Sequence, residues 1–247
     1  MEPQKKIIVR NLTKKFGDLL VLDDISFDVE EGEFLCIVGP TGCGKTTFLN
    51  SITKLYDITA GEILVNGEPV NLKKHNISYM FQGDSTMPWL TVEQNVAFGL
   101  NVKHADKQKI KDSVDEMLEL VGLCEYRKYY PKQLSTSMLQ RVAIARAFAT
   151  KPELLLMDEP YGQLDIELRY KLEDELLKLW KRTGTTVLFI THNIEESVYL
   201  SKKILVLTNK PTKVKKLLEN NLPYPRNIAS QEFVDLRNQV TDLIKWW

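Results

Sequence analysis

The run Gly39-Pro40-Thr41-Gly42-Cys43-Gly44-Lys45-Thr46-Thr47 concentrates the chemistry of this 247-residue chain. Its spacing is that of a phosphate-binding loop, G-x-x-x-x-G-K-[ST], a pattern that counts only between a strand and a helix. Both flanks are expected here. Phe34-Leu35-Cys36-Ile37-Val38 is an apolar run of strand length, and helical spacing continues from Lys45 to about Leu55. Gly42 and Gly44 let the backbone bend so that successive N–H groups face an anion, and the helix adds its positive end. The implied ligand is a polyphosphate, with Lys45 on the β and γ phosphates and the Thr46 hydroxyl on Mg²⁺.

A second chemical cluster ends the apolar run Leu154-Leu155-Leu156-Met157 with two carboxylates, Asp158 and Glu159. Acids at the end of a buried strand are costly unless a cation or hydrogen-bond donors meet them. Mg²⁺ would supply that partner. Successive strand residues point in different directions, so Asp158 is expected to hold the metal and its waters while Glu159 acts as general base on an attacking water. A pair of solvated acids is the plainer alternative. His192 follows an apolar strand pattern over residues 186–191 and is placed to touch a γ-phosphate, although a lone histidine can be purely structural. Gln82 follows the strand pattern Ile77-Ser78-Tyr79-Met80-Phe81, at the kind of C-terminal edge where ligands of α/β sheets bind.

The elements that must position these groups are split along the chain. Residues 7–13 and 21–29 read as an antiparallel pair turning at Phe16-Gly17-Asp18, and Gly61 to Gly67 as a strand closed by an Asn-Gly turn. Phe16 would stand at the mouth of the sheet, either stacked on a nucleobase or plugging the turn. Residues 83–150 switch to helical spacing, with helices over 92–100, 108–121 and 135–149. The α/β pattern then resumes with a helix over 166–182. Pro211, Pro223 and Pro225 signal a boundary, and Phe233, Leu236, Val240, Leu243, Ile244 and Trp247 share one face of a final helix.

Composition narrows the function classes. Lys and Arg number 33 against 33 Asp and Glu, so no global charge recommends nucleic acid or an anionic membrane. Apolar runs such as Ile204-Leu205-Val206-Leu207 are far shorter than the ~20 residues that span a bilayer. The N-terminus, Met1-Glu2-Pro3-Gln4-Lys5-Lys6, has no signal-peptide core behind it, so the expected location is cytoplasmic. Cys36, Cys43 and Cys124 lack metal-ligand spacing and read as reduced thiols. Cys43 is either a small filler or, with positive charge nearby, a modifiable thiol of lowered pKa.

Taken in order, these residues resemble the ATP-binding subunits of ABC transporters over almost the whole chain. Gly39 to Thr47 correspond to Walker A, Gln82 to the Q-loop, Leu134-Ser135 to the start of the signature helix, Asp158-Glu159 to Walker B and its base, Leu164-Asp165 to the D-loop, and His192 to the switch histidine. Phe16 falls where that family stacks the adenine. The resemblance implies an α/β fold: a P-loop NTPase core, a RecA-like mixed sheet with an N-terminal antiparallel β part, plus an inserted helical lobe. It places the ATPase domain at 1–210, as core 1–82 and 151–210 with the lobe at 83–150, followed by a proline-containing linker and docking helix at 211–247.

The resemblance also implies ATP and Mg²⁺ as cofactors, with Thr46, Gln82 and Asp158 toward the metal and Ser135 toward nucleotide. Its expected partners are membrane permease subunits, a second ATPase subunit and, indirectly, an extracytoplasmic solute-binding protein, at the cytoplasmic face of the membrane and without nucleic acid. Pro88-Trp89-Leu90-Thr91-Val92 and Leu222-Pro223-Tyr224-Pro225-Arg226 look most like importers of nitrate, sulfonates or taurine, with thiamine-precursor importers similar. The family's Leu-Ser-Gly-Gly signature departs here to Leu134-Ser135-Thr136-Ser137-Met138. Two other readings follow: an ATP-binding clamp with impaired turnover, and a soluble ABC-type ATPase acting on nucleic acid or ribosomes.

Overall fold

The computed structural model describes residues 4–83, 85–162 and 164–244. Met1 to Pro3 of the N-terminal stretch, Gln163 before the D-loop, and Trp247 of the C-terminal face therefore lie outside the described residues. Two compact units emerge, one of Met1–His75 with Thr186–Trp247, the other Asn76–Thr185.

The first unit begins with β1 (Lys5–Phe16) and β2 (Leu19–Glu30), an antiparallel pair joined at Gly17-Asp18. Alternate residues Ile7 and Val9 on β1, and Ile25, Phe27 and Val29 on β2, are buried, the pattern of a sheet with one covered face. The wholly buried β3 (Phe34–Val38) leads through the glycine loop into α1 (Lys45–Ile52). Strand β4 (Ala60–Val65) pairs antiparallel with β1, and an Asn66-Gly67 turn returns the chain into the short β5 (Glu68–Pro69). These strands form a four-stranded sheet in the order β2-β1-β4-β5.

The second unit opens with β6 (Ile77–Met80) and continues through α2 (Val92–Val102), α3 (Lys107–Leu120) and α4 (Thr136–Ala149). The buried β7 (Leu154–Asp158) then runs parallel to β6, and α5 (Ile166–Thr183) packs on α4. The helical segment at 83–150 thus shares its compact unit with two strands and α5. Helix starts are chemically marked. Thr91 and Gln94 form a reciprocal capping box on α2, and Asp106, Ser135 and Asp165 cap α3, α4 and α5.

Returning to the first unit, β8 (Thr186–Ile190) pairs parallel with β3 and is followed by α6 (Ile194–Leu200). Strand β9 (Lys203–Leu207) lies parallel to β3 on its other side. The linker expected from residue 211 instead contains β10 (Val214–Glu219), antiparallel to β9. Lys215 and Lys216 are both exposed on this edge strand, where charge discourages further pairing and breaks the apolar alternation that would announce a strand. Helix α7 (Gln231–Ile244) packs on α6 and β9 and buries Phe233 and Val240 fully, each worth about 1.5–3 kcal/mol. Leu236, Leu243 and Ile244 are half-buried on the same helix.

The architecture is the expected one of a P-loop core with an antiparallel β part and a helical segment.

Candidate nucleotide site

The phosphate loop begins where β3 ends. Its peptides are turned by Gly42 (φ 76°) and Gly44 (φ 118°), angles that residues with a Cβ rarely adopt. The Cys43 N–H closes the loop onto the Pro40 carbonyl at 3.2 Å. Lys45 is buried at 5 % exposure, with its ammonium on the carbonyls of Gly39 (2.9 Å) and Pro40 (3.0 Å). A buried cation within a glycine loop, at the start of a helix whose opening N–H groups lack intrahelical acceptors, fits a polyphosphate. Thr41 and Thr46 are exposed on this loop, and Thr47 is half-buried. Of the two alternatives for Cys43 the filler is the one that fits: it is 1 % exposed, and burial raises its thiol pKa despite Lys45 nearby. It is the small filler, 3.2 Å from where a Cβ on Gly39 would stand.

Replacing Lys45 with alanine removes a charge-assisted contact to phosphate worth about 1.5–3 kcal/mol, so ATP affinity is expected to fall roughly ten- to hundredfold. Calorimetry on the nucleotide-free protein checks this, and an unchanged dissociation constant would take Lys45 out of the site.

Phe16 closes β1 and is 42 % exposed, meeting the edge of the Tyr56 ring at 5.3 Å with the Lys14 ammonium 4.5 Å from its own centroid. An accessible ring can stack; it does not plug the turn. His192 is exposed in the step from β8 to α6. That step is pinned by the Asn193 N–H on the Thr191 hydroxyl at 2.9 Å and by Asn193 capping α6.

In the second unit, Asp158 is 4 % exposed at the end of β7, with the Tyr79 hydroxyl donating to it at 3.4 Å. Glu159 turns out of the strand with φ 46°, a left-handed conformation uncommon for a residue bearing a side chain. Strand β6 delivers the exposed Gln82, whose amide donates to the Glu159 carboxylate at 3.4 Å. The structure therefore brings Gln82 and Glu159 together. The buried carboxylate at the end of β7 is an oxygen donor of the kind that suits Mg²⁺.

Ser135 caps α4, accepting from the Met138 N–H, and its hydroxyl lies 3.0 Å from that of Ser137. Ser135 and Thr136 are exposed. Two supporting residues carried no chemical signal in the sequence. Arg146 on α4 grips Ser85, its guanidinium donating to the carbonyl and the hydroxyl at 2.7 Å each, and so ties that helix to the stretch after Gln82. Asn95 is fully buried and bonds Met87, Leu90 and Thr91, holding up a loop from which Trp89 projects at 72 % exposure.

A phosphate loop and a buried strand-end acid place the protein among P-loop ATPases. The chain belongs to the ABC transporter family, whose profile matches residues 22–162. Among its relatives is the aliphatic sulfonates import ATP-binding protein SsuB of Bacillus thuringiensis subsp. konkukian, 43% identical over 94% of this chain and 92% of its own. An ABC transporter ATP-binding protein of Methanocaldococcus jannaschii is 41% identical over 97% of this chain and 91% of its own. Among solved structures, the dimeric ATP-binding cassette MJ0796 in a post-hydrolysis state with ADP and Pi matches with a TM-score of 0.75 and 30% identity. That match covers 87% of this chain and 99% of MJ0796. The chain is an ATPase of this family, and none of its described helices is long and apolar enough to cross a membrane.

Proposed function

We propose that this chain is the ATP-binding and ATP-hydrolysing subunit of an importer, working as a pair of ATPase subunits at the cytoplasmic face of the membrane. It would drive a separate permease that receives its solute from an extracytoplasmic binding protein. The observation that carries the ATPase half is the Gln82–Glu159 contact at the end of a buried carboxylate strand, in a chain that also holds a complete phosphate loop. The solute class rests on the relatives named for aliphatic sulfonate import, so a small sulfonate is the first candidate.

In this reading Lys45 and the loop N–H groups bind the phosphates and Phe16 stacks on the base. Thr46, Asp158 and Gln82 would hold Mg²⁺, which when bound neutralises phosphate charge. Glu159 takes the proton of the attacking water, Gln82 orients that carboxylate, and His192 steadies the γ-phosphate. Ser135 and the start of α4 meet the nucleotide held by the second subunit. Solubilised native membranes test the assembly: the chain should co-purify with a permease and hydrolyse ATP, and the reconstituted complex should take up labelled sulfonate. Recovery with ribosomes or nucleic acid in place of a permease would overturn it.

The first turn of α4 favours a second, narrower reading, in which turnover is slow. Thr136 and Ser137 carry side chains where the family has glycines, and the Ser137 hydroxyl already faces that of Ser135. One forfeited charge-assisted hydrogen bond to phosphate costs about 1.5–3 kcal/mol, roughly ten- to hundredfold in rate. Converting both residues to glycine is then expected to raise steady-state ATPase activity of the assembled transporter about tenfold or more. An unchanged or lower rate means that the hydroxyl-bearing signature is competent as it stands.

A further inference from the structure

The turn between β9 and β10 reaches the back of the phosphate loop. Thr212, within it, is 0 % exposed and is held to β2 by both of its backbone groups: its N–H donates to the Val21 carbonyl and its carbonyl accepts from the Asp23 N–H, each at 2.9 Å. Its hydroxyl donates to the carbonyl of Cys43. On the same side, a Cβ built on Gly44 would come within 2.9 Å of Val21 Cγ1, 3.2 Å of Leu22 Cδ2 and 3.7 Å of Thr212 Oγ1. Val21, Leu22 and Thr212 therefore form a closed wall against which the Cys43–Gly44 peptide rests. No anion can approach through it, because Val21 and Leu22 are buried at 3 % and 0 % exposure.

A trans peptide is planar, with its carbonyl and N–H pointing in opposite directions. Fixing the Cys43 carbonyl on the wall side therefore aims the Gly44 N–H away from the wall. We propose that Thr212 is a positioning residue for ATP binding: through its bond to the Cys43 carbonyl it locks that peptide so that the Gly44 N–H is presented to phosphate. The inference rests on the reading of residues 39–47 as the ATP site. The glycine at 44 leaves the peptide free to rotate as well as to bend, so something outside the loop must hold its direction. Thr212 has the rigidity for that task, because its own backbone is bound to β2 on both sides.

The experiment compares Thr212→Val, which keeps the shape but removes the donor, with Thr212→Ser, which keeps the donor. ATP affinity is measured by calorimetry and stability by thermal melting, both without nucleotide at the start. The valine variant is expected to bind ATP about tenfold more weakly, the serine variant within about twofold of the parent. A purely structural role would lower the melting temperature of the valine variant and leave its ATP affinity unchanged. That outcome overturns the proposal, as does a serine variant as weak as the valine one. If the valine variant does not fold, Thr212→Cys replaces it; a thiol is a weak donor, and parent-like affinity in that variant would overturn the proposal too. A parent that fails to bind ATP overturns the site reading and this inference together, whereas a parent that binds with an unaffected valine variant overturns this inference alone.

Discussion

Replacing Glu159 with glutamine is expected to slow ATP hydrolysis about 10²- to 10⁴-fold, the usual contribution of a positioned general base, with ATP binding nearly unchanged. Glutamine has the same length and branching as glutamate, and it meets the same backbone demand at φ 46°. A smaller or β-branched residue would test strain as well as chemistry. The Gln82 amide donates to the carboxylate at 3.4 Å, and a glutamine there can turn its own amide oxygen to accept that bond, so the contact survives. What is lost is the capacity to take a proton from water. If the subunits act as a pair, the ATP-bound dimer should accumulate. Steady-state phosphate release and size-exclusion chromatography with ATP check both halves. Hydrolysis within about twofold of the parent would move the base elsewhere.

Much of this site is legible in the sequence because it lies at the ends of elements that announce themselves. Strands β3, β7 and β8 are unbroken apolar runs, buried on both faces, and each delivers a chemical group at its last residue or just after it: the glycine loop, Asp158 and His192. Helices α2, α3 and α5 show clear three-and-four spacing behind capping side chains. What the pattern hides is of another kind. Helix α6 is too short for a periodic signal, and β10, with its lysines, lies between Pro211 and Pro223, which argue for a linker. Arg146, Asn95 and Thr212 act through contacts with residues distant in the chain or with backbone carbonyls, which no local spacing encodes. The left-handed turn at Glu159 is likewise a property of the folded strand end, invisible in the letters Asp-Glu-Pro. Cys43 left two alternatives open in the sequence for a related reason. Its neighbours in sequence are polar and one is cationic, but the fold buries it, and desolvation outweighs the attraction of Lys45.

Arg226 shows the same limit, and its removal is the largest stability effect expected. The tail Leu222-Pro223-Tyr224-Pro225-Arg226 stands out for its prolines, but nothing in those letters says that the arginine is 7 % exposed. In the fold it faces the C-terminal end of α6, donating to the carbonyls of Val198, Tyr199 (2.9 Å) and Ser201 (2.6 Å). Those are the acceptors a helix end leaves unpaired, and a cation is favoured there. The ring of Tyr224 lies 4.2 Å from the guanidinium, and its hydroxyl donates to Leu200 at 2.6 Å. Burial lowers the Arg226 pKa and pushes that of Tyr224 up to about 12. Arg226→Met keeps much of the volume but strands the carbonyls of Tyr199 and Ser201 at about 1–3 kcal/mol each, while Val198 keeps the Asn220 amide at 2.8 Å. A net loss of about 3–5 kcal/mol is expected, the sum over those stranded acceptors. At about 2–4 °C per kcal/mol for a chain of this size, the melting temperature should fall by roughly 6–20 °C. Arg226→Lys should recover only part of this, because one ammonium cannot span carbonyls that a planar fork reaches from two sides. A methionine variant that melts with the parent would mean that water satisfies the end of α6, and that the C-terminal segment is held without Arg226.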